Sequence, residues 1–287
     1  KQLVDAESAA KSWLEGARAA DAAGDDERAK RMYERVLGVS PDEAEAARRL
    51  ITLYAGSGAW QKIPEAFEVL HRTGTDERDV VSLLLSLEAP AVAEGAVEVF
   101  VVLTDGALER EGLEPARLRQ LLLSRARVLT SSLSHRDEVA AIYRRVLESG
   151  ADDVQPAAEA FTVFLATGEL TPARIADRRW LFEWRAGRAA DPTTVIIAWA
   201  LAEETTLGNP AAAIELYKRV IDRDGERLDA LAQLARLQTT HGDAEGALST
   251  LRSLREQSEG ESRILAEISM VSLWIERLDR PSEALDT

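Results

Sequence analysis

Apolar residues recur every three to four positions along most of this chain, and short segments with glycine or proline interrupt them. The first apolar stripe includes Trp13 and ends near Gly24, and the next includes Tyr33 and ends before Pro41. This spacing is typical of amphipathic α-helices, and each interruption indicates a turn. The pattern therefore predicts that two antiparallel helices precede Pro41.

The same order of residues returns farther along the chain. About 34 residues later, Tyr54, a break at Gly58 and Phe67 repeat it. Ala29, early in the predicted second helix, marks the repeat. Equivalent positions, 33 to 43 residues apart, are Ala29, Ile63, Ala96, Val139, Ala173, Ala213, Ala247 and Ala284. Such a period predicts stacked units, each of which covers the apolar face of its neighbour.

Aromatic residues follow most markers at a distance of four. They are Tyr33, Phe67, Phe100, Tyr143 and Tyr217, whereas Asp177 and Leu251 break the pattern. With the small residue at the marker and the closing Pro41, this order resembles the tetratricopeptide repeat family. The resemblance implies an all-α, right-handed α-solenoid of about seven to eight antiparallel helix pairs, the last one truncated. Residues 199–204 and Tyr217 also resemble the half-a-tetratricopeptide variant in the later repeats.

The repeats predict a single array over residues 1–287. Residues 1–75 form regular units, residues 76–118 a divergent one, and residues 119–287 further units with a longer hairpin at 154–192. The chain opens on Lys1 and stops soon after Ala284, so we expect a fragment of a longer multi-repeat protein. Frequent Arg and a single Asn, at position 209, favour a bacterial source.

Capping residues and prolines predict where helices begin. Ser40-Pro41, with Glu43 closing a capping box, predicts a helix that starts at Pro41. The same cap-then-proline order recurs at Thr171-Pro172, Asp191-Pro192 and Asn209-Pro210. First helices are expected to end at Gly58, Gly168, Gly208 and Gly242. Residues 194–197, the best strand candidate, continue directly into a helical pattern and are therefore predicted to be helical.

Charge and composition narrow the classes of partner. The net charge of −15 repels a phosphate backbone, so direct binding of nucleic acid is not expected. No apolar run approaches the roughly 20 residues that span a bilayer, which argues against membrane insertion. Without Cys, the chain fits a reducing or an oxidising compartment. We expect a cytoplasmic protein, with a periplasmic one as the alternative, and the oligomeric state stays open.

Residues for catalysis are not grouped in the sequence. His71, His135 and His241 fall at helix ends or turns of different repeats, without the short spacing that metal ligands need. Residues 55–59 contain Gly and Ser but lack the spacing of a nucleophile elbow, and we interpret them as a turn. No glycine-rich phosphate loop is present. We therefore expect no enzyme activity, no metal and no cofactor.

Residues 174–188 are unusually basic and aromatic. Within them, one candidate surface, here called the Arg/Trp patch, consists of Arg178, Arg179, Trp180, Trp184, Arg185 and Arg188. Because Trp and Arg dominate interface energetics, this patch could bind an acidic partner. The alternative is that Trp180 and Trp184, four residues apart, pack a long second helix against its neighbour.

First helices line the concave face in proteins of the resembled family. The residues expected there for partner binding are Arg18, Thr162, Thr205, Thr206, Arg236, Thr239 and Thr240, together with Thr52, Ser131 and Ser132. Such a small, nearly neutral surface suits an extended peptide or a helix. The alternative is that small residues merely allow tight curvature.

These observations together predict a non-catalytic scaffold that binds a partner peptide, helix or domain through the concave groove, the Arg/Trp patch, or both. The alternative function is a helical-repeat subunit of an RNA-processing assembly.

Overall fold

The structure, a computed structural model, describes residues 2–109, 112–132 and 135–285. All regular elements in these ranges are helical, which confirms the all-α prediction. A single turn of 3-10 helix, Trp60–Lys62, precedes α4. The α-helices are α1 (Gln2–Ala22), α2 (Asp26–Val39), α3 (Ala44–Gly56), α4 (Ile63–Arg72), α5 (Glu77–Glu94), α6 (Val97–Leu108), α7 (Pro115–Thr130), α8 (Arg136–Glu148), α9 (Gln155–Ala166), α10 (Pro172–Arg188), α11 (Pro192–Thr205), α12 (Pro210–Arg223), α13 (Leu228–Thr240), α14 (Ala244–Gln257), α15 (Gly260–Glu276) and α16 (Pro281–Leu285).

The chain divides into two compact units, Lys1–Phe164 and Leu165–Thr287. In the first unit α1 packs on α2, α2 on α3 and α3 on α4, and the first helices α3, α5 and α7 also contact one another in succession. In the second unit every helix from α10 to α16 packs on the next. Consecutive helices joined by short turns form antiparallel pairs, and each pair covers the next. The predicted stacking of helix pairs is confirmed.

Buried residues follow the predicted repeat at most positions. The markers Ala29, Ile63, Val139, Ala213 and Ala247 are fully buried, as the close approach of two paired helices requires. The aromatic residues four positions later lie in the core: Tyr33, Phe67, Tyr143 and Tyr217. These large side chains fill the space between successive pairs and supply much of the apolar burial.

Two predicted markers are wrong. Ala96 precedes the first residue of α6 and is half-buried, and Ala173 is exposed in the first turn of α10. In α2 the buried marker Ala29 lies four residues after the N-cap residue. The position four residues after the N-cap is the fully buried Phe100 in α6 and Ile175 in α10. The start of a helix decides which side each residue faces, and a small residue alone does not reveal that start.

The cap-then-proline prediction is confirmed at three helices. The side chains of Thr171, Asp191 and Asn209 accept backbone N–H bonds in the first turns of α10, α11 and α12, with proline at the first helical position. Residues 194–197 are helical, within α11. Gly58, Gly168, Gly208 and Gly242 adopt positive φ between first and second helices, as predicted.

The predicted helix start at Ser40-Pro41 is wrong. The N–H of Ser40 donates to the Val36 carbonyl at 2.7 Å and closes α2, and α3 begins only at Ala44. The N–H of Glu43 donates to the Ser40 carbonyl at 3.2 Å, so residues 40–43 form a turn with Pro41 in its second position. Arg72 of α4 donates to the Pro41 carbonyl at 2.9 Å and holds this turn in place.

No helix in the described ranges is both long and apolar enough to cross a membrane.

Candidate partner-binding surfaces

The Arg/Trp patch lies on α10, and its first arginine is engaged within the same unit. The guanidinium of Arg178 donates to the Leu165 carbonyl, at 3.1 Å from Nε and 2.5 Å from Nη2. Leu165 lies in the last turn of α9, where carbonyls lack helical N–H partners. Replacement of Arg178 would therefore remove a bond to the backbone of Leu165, as well as a residue of the patch.

Arg179 is held by a buried carboxylate. Its Nε and Nη2 each lie 2.7 Å from an oxygen of Glu203 in α11, a residue that is only 1% exposed. The indole N–H of Trp199 donates to the same carboxylate at 2.9 Å, and the Trp199 ring stacks on Phe182 of α10. Hydrogen bonding to Glu203 raises the pKa of Arg179 above its ordinary value. This cluster joins α10 to α11.

The rest of the patch lies toward the C-terminal end of α10. The Arg188 guanidinium sits 5.0 Å from the centre of the Trp184 ring, a cation–π contact on the exposed side of the helix. Trp180, Trp184 and Arg185 are half-buried. The patch is therefore divided: Arg178 and Arg179 bind within the unit, and Trp184 with Arg188 presents the accessible part.

The two cations predicted for the groove form ion pairs between successive first helices. Nε of Arg18 in α1 lies 2.6 Å from the Glu45 carboxylate of α3, which holds the Glu45 pKa below its usual range. Arg236 of α13 donates to Glu204 of α11 at 2.6 and 2.8 Å. Further pairs of this kind are Arg49 with Asp21, Arg48 with Asp79, and Arg127 with Glu88. In each pair, the charge of an arginine on one first helix is balanced by a carboxylate on the neighbouring first helix.

The threonines predicted for the groove donate to their own helices. The hydroxyl groups of Thr162, Thr205, Thr239 and Thr240 each donate to the carbonyl four residues earlier, at 2.7 to 2.8 Å. Thr206 ends α11, with its hydroxyl 3.4 Å from that of Thr205. A hydroxyl bonded in this way can still accept a hydrogen bond from a ligand, because its oxygen has two lone pairs.

Three of the ten predicted groove residues come together in one cavity. It has a volume of about 740 Å³ and lies between α13 and α15, lined by Arg236, Thr239 and Thr240. Thr205 and Thr206 lie on α11 outside its lining, and Arg18 and Thr162 belong to the other unit. We call this cavity the α13–α15 groove.

The opposite wall of this groove was missed in the sequence. It consists of residues of α15, among them Leu265, Ile268, Ser269 and Ser272. Leu265 and Ile268 are large apolar residues that stay more than half exposed. The available signal in the sequence was that residues 260–276 contain more apolar positions than one buried helical face needs.

The described residues contain no group of three or more His, Asp or Glu that could hold a metal ion. His71 packs edge-on against Phe67 at a centroid distance of 5.0 Å, and His135 Nε2 lies 3.0 Å from the Glu98 carboxylate. His241 ends α13. The three histidines lie at separate helix ends, as the sequence predicts.

Comparison with known proteins agrees with this architecture. Residues 205–266, from the end of α11 into α15, match the model of the tetratricopeptide repeat family. No curated protein matches the chain significantly.

Solved structures with similar arrangements have low identity to this chain. A tetratricopeptide repeat protein from Parabacteroides merdae is 11% identical, with 94% of this chain and 100% of that one covered and a TM-score of 0.40. Yeast Tom70 is 12% identical, with 98% and 68% covered and a TM-score of 0.31. The TPR domain of P58(IPK) is 15% identical, with 96% and 81% covered and a TM-score of 0.27. Residues 205–266 are thus similar to tetratricopeptide repeats, and they lie within a chain of stacked helix pairs.

Proposed function

We propose that this protein is a non-catalytic scaffold that binds a segment of a partner protein in the α13–α15 groove. The single observation that carries the proposal is the groove itself, an open cavity of about 740 Å³ that apolar and polar residues line in equal number. A concave, mostly apolar site with a few polar groups is the usual form of a binding site.

The chemistry of the groove favours a peptide segment. Leu265 and Ile268 offer apolar surface that remains exposed to water, and burial of this surface would favour binding. Thr239, Thr240 and Ser269 provide hydroxyl groups for the backbone of a bound segment. Arg236, already paired with Glu204, adds little net charge. Recognition would therefore depend on shape and hydrogen bonds.

A second docking surface is proposed at the accessible end of the Arg/Trp patch. Trp184 and Arg188 combine an aromatic ring with a cation, the residue types that are enriched among interface hot spots. This surface suits an acidic segment of a partner.

The experiment selects peptides from a displayed random library with the intact chain and measures their affinity by fluorescence anisotropy. Ser269→Trp fills the groove from the α15 side and is expected to weaken binding about tenfold or more. Ser249→Trp, on the exposed side of the neighbouring α14, is the matched control and should leave the affinity unchanged.

Circular dichroism and the midpoint of thermal unfolding establish that both variants remain folded. Peptides that bind Ser269→Trp as tightly as the original chain would contradict the groove assignment. If no peptide is selected and single-stranded RNA binds instead, with an affinity that falls steeply with salt, the RNA-assembly alternative replaces this proposal.

A further inference from the structure

We draw no further inference here: the strongest candidate, the exposed apolar face of α15 that includes Ile264 and Ile275, carries none because nothing in the part of the chain that the structure describes shows what covers it.

Discussion

The bond between Arg179 and Glu203 should stabilise the second unit rather than serve a partner. Glu203 is 1% exposed, and its two oxygens are occupied by Arg179 and by the Trp199 indole. Replacement of Arg179 by alanine leaves a buried carboxylate with a single neutral donor. Loss of one partner from a fully buried pair costs about 3–5 kcal/mol.

The expected loss is smaller here. The Arg179 side chain is 38% exposed, so water can approach the carboxylate once the guanidinium is removed. We therefore expect Arg179→Ala to lower the free energy of unfolding by about 2–3 kcal/mol. Arg179→Ala combined with Glu203→Leu removes the charge together with its partner and should recover much of this loss, because apolar replacement of a buried pair is often nearly neutral.

Urea unfolding followed by tryptophan fluorescence measures these differences, since Trp199 lies at the site. Arg188→Ala is the control, because Arg188 is exposed and its guanidinium lies over the Trp184 ring; it should change stability by less than about 1 kcal/mol. A loss below about 0.5 kcal/mol for Arg179→Ala, or a double variant less stable than Arg179→Ala, would refute the reasoning.

Three further changes have expected results that can be checked by chemical or thermal unfolding. Asn209→Ala removes the side chain that caps α12 and should lower the free energy of unfolding by about 1 kcal/mol. Asn209→Asp keeps a capping oxygen and should retain most of this stability. Ala213 is fully buried in α12, so Ala213→Trp should overpack this position and lower the free energy of unfolding by about 1–3 kcal/mol. Ala211→Trp, on the exposed side of the same helix, should leave the stability nearly unchanged. The hydroxyls of Thr193 and Thr194 lower the pKa of Asp191 from 3.8 to about 2, so its contribution to stability is present above pH 3.8 and lost as pH falls toward 2. Asp191→Asn should abolish that part of the pH dependence, and an unchanged pH profile would contradict it.

Local signals in the sequence were sufficient to predict paired helices and several of their boundaries. Asn209-Pro210 predicts the start of α12 because the cap and the proline act within one turn. Tyr217 is predicted to be buried because its spacing from Ala213 places both on one helical face. The predicted helix start at Ser40-Pro41 was wrong because the same residues also suit a tight turn. The turn is held by the bond from Arg72 to the Pro41 carbonyl, which the local sequence does not reveal.

The candidate site could be predicted only in part. Arg236, Thr239 and Thr240, which the sequence places on a first helix, line a cavity between α13 and α15. The other wall, on α15, was missed because an amphipathic pattern does not reveal how many sides of a helix its neighbours will cover. Leu265 and Ile268 look like core residues until the positions of α13 and α14 are known.

Apolar periodicity, helix caps and turns act over a few residues. The amino-acid sequence is therefore enough to predict paired helices and their repeat. The partners of Arg18, Arg179 and Arg236 lie 24 to 32 residues away, on other helices. Whether an arginine neutralises a buried carboxylate or faces a ligand depends on how helices from different repeats pack together. Tertiary packing alone therefore decides which charges are engaged and which apolar residues, such as Leu265 and Ile268 of α15, remain exposed.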